Sequence, residues 1–268
     1  DGNAVFGFHG APERSDLAAW AKARLPHMKF EAREMTFDAF EAKAKAMGAV
    51  VEAFLEGEKV SPSAQFRIDP LGRVTAISTH DQVLGGPNGG VFLGCRFPAD
   101  AAYRLEIQKD GERIAEKLAE AGALGRFGVD FVCVRDGEGW RRYAIEINLR
   151  KGGTTHPFLM LEFLTGGKYD PAGGLFHTPG GHARYYTASD NLQSERYRGL
   201  TPADLVDIAV EQELHYDGAS QEGVVFHLIG ALSEFGKLGL VCVGATPERA
   251  EALYRRTVDI LDAAQSKG

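Results

Sequence analysis

Apolar positions along this chain recur with two periods. Around Leu17, Trp20, Ala21 and Leu25, and again at Phe37, Phe40, Ala44 and Met47, they return every three to four residues and predict two helices. Ser15-Asp16 and Thr36 stand where N-caps belong, and Pro26 and Gly48 where helices stop. A third helix is expected from Pro98-Ala-Asp100 to Ala121, with Gly122 as its stop, and a short fourth from His156 to Leu164, ended by Gly166-Gly167. Thr201-Pro202 opens a fifth through Leu205, Ile208, Ala209 and Gln212, and Thr246-Pro247 a last one with Ala250, Leu253, Tyr254, Thr257 and Leu261.

Between the helices the pattern alternates or runs apolar over short stretches. Ala4 to Phe8, Phe30 to Met35, Ala183 to Ser189, Gly223 to Ile229 and Leu238 to Gly244 read as strands, and Ala49 to Gly57 as a strand and hinge. Pro70-Leu-Gly72 joins Ser63 to Asp69 with Arg73 to His80, and Asp136-Gly-Glu-Gly139 joins Arg126 to Arg135 with Trp140 to Arg150, as two hairpins. Leu84-Gly-Gly-Pro-Asn-Gly-Gly90 is too rich in glycine for regular structure and reads as a mobile loop able to act as a lid. Residues 168–182 read as loop or linker. The whole is α+β or α/β with much antiparallel pairing.

The most informative stretch is Tyr143 to Pro157. Tyr143, Ile145, Ile147 and Leu149 form one strand face, which suits a core; Arg142, Ala144, Glu146, Asn148 and Arg150 form the other. With the second turn centred near residues 137–138, antiparallel pairing sets Asp130 opposite or nearly opposite Glu146. Phe127, Val129, Phe131 and Cys133 alternate with Arg126, Gly128, Asp130 and Val132, so Asp130, Glu146 and Asn148 share a face. Opposed carboxylates repel. A divalent cation would offset this, since hard cations such as Mg²⁺ take carboxylate, amide and phosphate oxygens. A surface network through Arg126, Arg142 or Arg150 would do so equally well. Beyond the strand, Arg150, Lys151 and the N–H groups of Gly152 and Gly153 could receive an anion, with Thr154, Thr155 and His156 as further donors at a helix start. A plain structural histidine is the simpler reading of His156.

Composition narrows the field. With 268 residues, 44% hydrophobic and 25% charged, the chain can bury a sizeable core. A net charge of -7 without a basic run argues against nucleic acid or an anionic membrane as partner. Cys95, Cys133 and Cys242 lack metal or disulfide spacing and read as buried thiols of a reducing, cytoplasmic compartment. No apolar run reaches the length of a transmembrane helix.

Gly128-Val-Asp130-Phe with Glu146-Ile-Asn148-Leu-Arg150 resembles the metal-binding strands of ATP-grasp enzymes. Gly152-Gly-Thr-Thr-His-Pro157, Ser61-Pro-Ser63, Ser78-Thr-His-Asp-Gln-Val-Leu-Gly-Gly86, Gly94-Cys-Arg-Phe-Pro98, Gly125-Arg-Phe-Gly-Val-Asp-Phe131 and Ser189-Asp-Asn-Leu192 narrow this. They are similar to the subgroup of carboxylate–amine ligases that contains the peptide ligase of pheganomycin biosynthesis, in which a pre-ATP-grasp domain comes first.

The resemblance implies an α+β ATP-grasp fold of two lobes with antiparallel sheets, the first incomplete, followed by a C-terminal α/β extension. Residues 1–60 would be a remnant of the first lobe and hinge, 61–167 the second lobe with the metal site, and 168–268 a C-terminal subdomain. It implies ATP and one or two Mg²⁺ ions as cofactors, and a carboxylate (amino acid) and an amine (amino acid or peptide) as substrates. Glu52, Phe54 and Leu55 of the hinge strand would meet adenine, Glu58 the ribose, and Lys151 the nucleotide. Asp130, Glu146 and Asn148 would hold metal, while Arg67 and Arg150 would stabilise developing charge. Asp81, Gln82 and residues Gly152, Gly153, Thr154, Thr155 and His156 would face the substrates, and the Gly85 to Gly90 loop would exclude water.

The pattern departs from the family at its start. Asp1-Gly2-Asn3-Ala4 resembles the tail of a glycine loop whose lysine strand is not in the sequence, and Lys43 and Lys45 are not obvious substitutes. The chain therefore reads as a fragment of an ATP-dependent, peptide-bond-forming ligase that works through an acyl phosphate. A non-catalytic nucleotide-binding or scaffolding module is the alternative, and a homodimer is compatible with either. A two-carboxylate hydrolase is weaker, because directly opposed strand residues sit too close to leave room for water.

Overall fold

The computed structural model describes residues 4–11, 16–30, 32, 34–86 and 90–264. The chain divides into two compact units, one of Asp1–Glu56 with Gly85–Val91 and one of Gly57–Leu84 with Phe92–Gly268. Ser15, the loop tail Asp1 to Asn3 and the lid residues Pro87 to Gly89 lie outside the described residues.

In the first unit, β1 (Ala4–Val5) pairs antiparallel with β2 (Lys29–Phe30), beside α1 (Leu17–Arg24) and α2 (Phe37–Met47). Thr36 caps α2 by accepting the Ala39 N–H at 3.3 Å, and Gly48, at φ 81°, ends it. Trp20 packs edge-on against Phe6 and Phe8. The expected hinge strand is a correction: residues 49–56, with Glu52, Phe54 and Leu55, form no strand. Val51 is 96% exposed. Regular pairing begins just beyond, at β3 (Lys59–Val60).

The second unit is built on a nine-stranded sheet. β4 (Pro62–Ile68) and β5 (Val74–Gly85) form the first predicted hairpin, and β6 (Val91–Phe97) follows. After α3 (Arg104–Glu120), β7 (Gly125–Asp136) and β8 (Gly139–Asn148) form the second. Next come α4 (Thr155–Thr165), then β9 (Lys168–Asp170) paired with β10 (Leu175–His177). The stretch read as linker therefore contains a small hairpin. β11 (Tyr185–Gln193), α5 (Pro202–Glu211), β12 (Gly223–His227), α6 (Leu232–Phe235), β13 (Lys237–Gly244) and α7 (Pro247–Ala263) complete the unit. The order is β12-β13-β11-β6-β5-β4-β7-β3, with β8 on β7. The sheet thus runs without a break from β6 to β11.

The sheet is covered on one face at β4 and β7 and on both faces at β13. Ala64, Phe66, Ile68, Phe127, Val129, Phe131 and Cys133 meet Ile107 and Ala115 of α3 on one face. A second cluster joins Phe97, Tyr186 and Val241 to Phe158 and Leu161 of α4. Leu240 and Cys242 pack with Leu253 of α7. No helix among the described residues is long and apolar enough to cross a membrane.

Candidate functional site

The sheet brings a row of polar side chains together across four strands. His80 on β5 is opposite Ser63 on β4, Ser63 is opposite Asp130 on β7, and Asp130 is opposite Glu146 on β8. The next row holds Gln65, Gly128 and Asn148. A Cβ on Gly128 would come within 2.7 Å of the Gln65 amide oxygen, so glycine leaves the space that Gln65 fills.

Asp130 is the centre of the row. Gln82 Nε2 donates to its Oδ1 at 3.0 Å and Asn148 Nδ2 to its Oδ2 at 2.9 Å. Burial, and then the charge of Glu146, push its carboxyl up to about 6, against the pull of these two donors and of Arg150. The three residues expected to hold metal therefore share one face, as the hairpin spacing predicts.

A bulge separates the ladder at Asp130 and Glu146 from that at Phe131 and Ala144. The extra residue, Ile145, reverses the alternation of β8. Arg142 therefore stands opposite Cys133 on the α3 face, where it pairs with Asp110 at 2.9 Å and Glu106 at 3.4 Å. It does not share a face with Glu146, contrary to the expectation from strict alternation. Among the described residues no ion pair joins Arg126, Arg142 or Arg150 to Asp130 or Glu146. The apolar side of β8 is a second correction. As an edge strand it leaves Ile145, Ile147 and Leu149 44%, 46% and 62% exposed instead of in a core.

Other expected site residues divide. Arg67 is exposed on the Asp130 face, two rows from it and opposite Arg126. Gln82 reaches Asp130, but its neighbour Asp81 points to the opposite face. There Asp81 accepts the Tyr103 hydroxyl at 2.7 Å and the Asp100 N–H at 2.9 Å, so it anchors the approach to α3. Glu58 accepts the Arg135 N–H through its carbonyl at 2.8 Å, and its carboxylate lies 3.8 Å from the Arg135 guanidinium. Glu52, Phe54 and Leu55 belong to the first unit. Arg150 and Lys151 are exposed at the end of β8, with Arg150 Nη1 donating to the Lys151 carbonyl at 3.2 Å.

After Lys151 the chain turns into α4. The Gly152 N–H donates to Thr155 Oγ1 at 3.1 Å, and the Thr155 N–H to the Gly152 carbonyl at 3.1 Å. This corrects the two-glycine anion nest, since one of its donors closes the turn. Thr154 is buried and His156 exposed on the first turn of α4. Gly152, Gly153 and His156 also line a cavity of about 400 Å³ whose other walls include Asp190 and His227. Sequence reasoning missed His227 and gave no role to Asp190.

Residues 28–154 match an ATP-grasp domain. This chain carries an ATP-grasp domain. A second match, to the PGM1 C-terminal domain, covers residues 204–257. The chain is 36% identical over 222 residues to the L-propargylglycine–L-glutamate ligase of Streptantibioticus cattleyicolor, an alignment that takes in 83% of the chain and 45% of that enzyme. The chain thus spans about half the length of this relative.

Solved structures share the fold. One is an N5-carboxyaminoimidazole ribonucleotide synthetase, purK, in complex with ADP, at TM-score 0.50 and 14% identity over 94% of this chain and 66% of that one. The corresponding synthetase of Thermus thermophilus also has TM-score 0.50, with 14% identity over 83% of this chain and 57% of that one. The pyruvate carboxylase of Rhizobium etli has TM-score 0.53 and 17% identity over 84% of this chain and 22% of its own. The fold is the expected one, mixed α and β with an antiparallel sheet.

Proposed function

We propose that the protein joins a carboxylate to an amine at the expense of ATP, by way of an acyl phosphate. The observation that carries this reading is the Asp130–Glu146 pair, with Asn148 on the same face and no cationic side chain bound to either carboxylate among the described residues. The ligase named for the 36% identical relative supports the same class of chemistry, with amino acids as the acid and the amine.

The donor set fits Mg²⁺. Two carboxylates and an amide oxygen are hard ligands, and Mg²⁺ is usually held by one or two carboxylates together with phosphate oxygens. Asp130, Glu146 and Asn148 would hold it. Bound there, the metal would supply charge neutralisation to the phosphates of ATP. Asp130 would take part as the carboxylate, fixed in orientation by Gln82 and Asn148. Arg150 and Lys151, at the end of the same strand, would bring positive charge to the transferring phosphoryl group, and Arg67 would add to it from β4. Thr154, Thr155, His156 and the glycines before them would face the substrates, along with Gln82. No comparable role is left for Asp81.

An ADP-release screen of the protein with Mg²⁺-ATP, amino acids and short peptides tests this reading. Release that requires both an acid and an amine is expected. ATP binding without release under any pair would favour a nucleotide-binding module that does not turn over.

A further inference from the structure

The cavity beside α4 brings together groups far apart in sequence. β12, β13 and β11 lie side by side, and at one level they carry His227, Gly239 and a bulge containing Asp190 and Asn191. His227 is opposite Gly239, and a Cβ there would stand 2.1 Å from the ring, so only glycine lets the imidazole lie over β13. The bulge between Ser189 and Leu192 re-aims Asp190, which lines the same cavity. His156, from the first turn of α4, meets His227 with ring centroids 4.4 Å apart. Phe92, Pro157 and Leu228 add apolar wall.

The electrostatics of this cavity favour one kind of ligand. Among the described residues, Asp190 is its only carboxylate and no lysine or arginine lines it. Burial first, and His156 second, push the His227 imidazole down to about 4, so it stands neutral and able to accept a hydrogen bond. Its Nε2 is buried and has no partner among the described residues. A carboxylate ligand would meet Asp190 without a compensating lysine or arginine, whereas an ammonium would find a counter-ion and the His227 imidazole as an acceptor. A volume of about 400 Å³ suits an amino acid or a short peptide end. The cavity opens beside Gly152 and Gly153, four and five residues beyond Asn148 in the chain.

We propose that Asp190, His227 and His156 form the subsite that binds the amine substrate through its ammonium group, beside the end of β8. The proposal rests on the ligase reading above, for which it names the amine-binding residues.

Binding can be judged apart from turnover. The protein, labelled at histidine, is titrated with L-alaninamide and with its N-acetylated form, and the imidazole resonances of His156 and His227 are followed by NMR. L-alaninamide should shift both rings, the acetylated form should shift neither, and Asp190→Asn should weaken the response about tenfold or more. Asp190→Glu, which restores the charge, should recover part of it. Circular dichroism on each variant identifies any that fails to fold. Equal shifts with the acetylated compound, no shift with either, or an undiminished response in folded Asp190→Asn would overturn the subsite. Trapping of an acyl phosphate by hydroxylamine tests the ligase reading separately. Its absence alongside the expected imidazole shifts would sink ligation while leaving the ammonium site standing.

Discussion

Asp130 and Glu146 are direct cross-strand partners on β7 and β8, and the charge of one raises the proton affinity of the other. Because the charge of Glu146 adds to the burial that holds the Asp130 carboxyl near 6, Glu146→Gln should lower that value in Mg²⁺-free buffer while burial keeps it above the ordinary 3.8. The carboxyl ¹³C shift of Asp130 across a pH titration checks this. Added Mg²⁺ should lower the Asp130 value in the wild type and do so much less in Glu146→Gln. Because the metal takes the ionised form, Mg²⁺ affinity should fall as pH drops below about 6.

His80 predicts the acid stability of the second unit. It is fully buried, its Nε2 lies 2.7 Å from the Tyr186 hydroxyl, and burial holds its imidazole at about 3 against the usual 6.5. Below pH 6.5 the unfolded chain takes up this proton and the folded chain does not. Stability is therefore complete above 6.5 and is lost as pH falls toward 3, by up to about 1.4 kcal/mol per pH unit for this group. Denaturant midpoints measured between these limits should show a flatter slope in His80→Gln than in the wild type.

The contact between Gly111 of α3 and Phe66 of β4 is a test of packing. A Cβ at residue 111 would lie 2.4 Å from the Phe66 ring, which has no exposed surface. Gly111→Ala should therefore destabilise the fold by about 1–3 kcal/mol despite the better helix propensity of alanine. Phe66→Leu in the same background should recover part of the loss, as read by thermal unfolding.

These relationships were not equally visible in the sequence. The pairing of Asp130 with Glu146 was legible because the Asp136 to Gly139 turn and clear alternation in β7 leave little freedom of register. The bulge at Ile145 was not, since one extra residue carries no compositional mark, and it moved Arg142 to the α3 face. Asp81 and Gln82 are neighbours on opposite faces, and only the position of Tyr103 decides which one serves the helix. The run from Ala49 to Gly57 has the apolar content of a strand, but apolar content alone does not decide whether a strand forms. Asp190 and His227 line one cavity because β13 lies between their strands, a matter of sheet order that local pattern does not encode. The Ser189-Asp-Asn-Leu192 motif in β11 and a glycine inside the apolar β13 were hints without a stated role.

The measurement that bears most directly on the central claim is hydroxylamine-trapped acyl phosphate formation, with ADP release, in the wild type and in Glu146→Ala. With Mg²⁺-ATP and a competent acid, the wild type should form hydroxamate in step with ADP. Glu146→Ala, folded as judged by circular dichroism, should fall by about two orders of magnitude or more. Equal rates in the two proteins would contradict the assignment of the Asp130–Glu146 pair to the metal and phosphates of ATP.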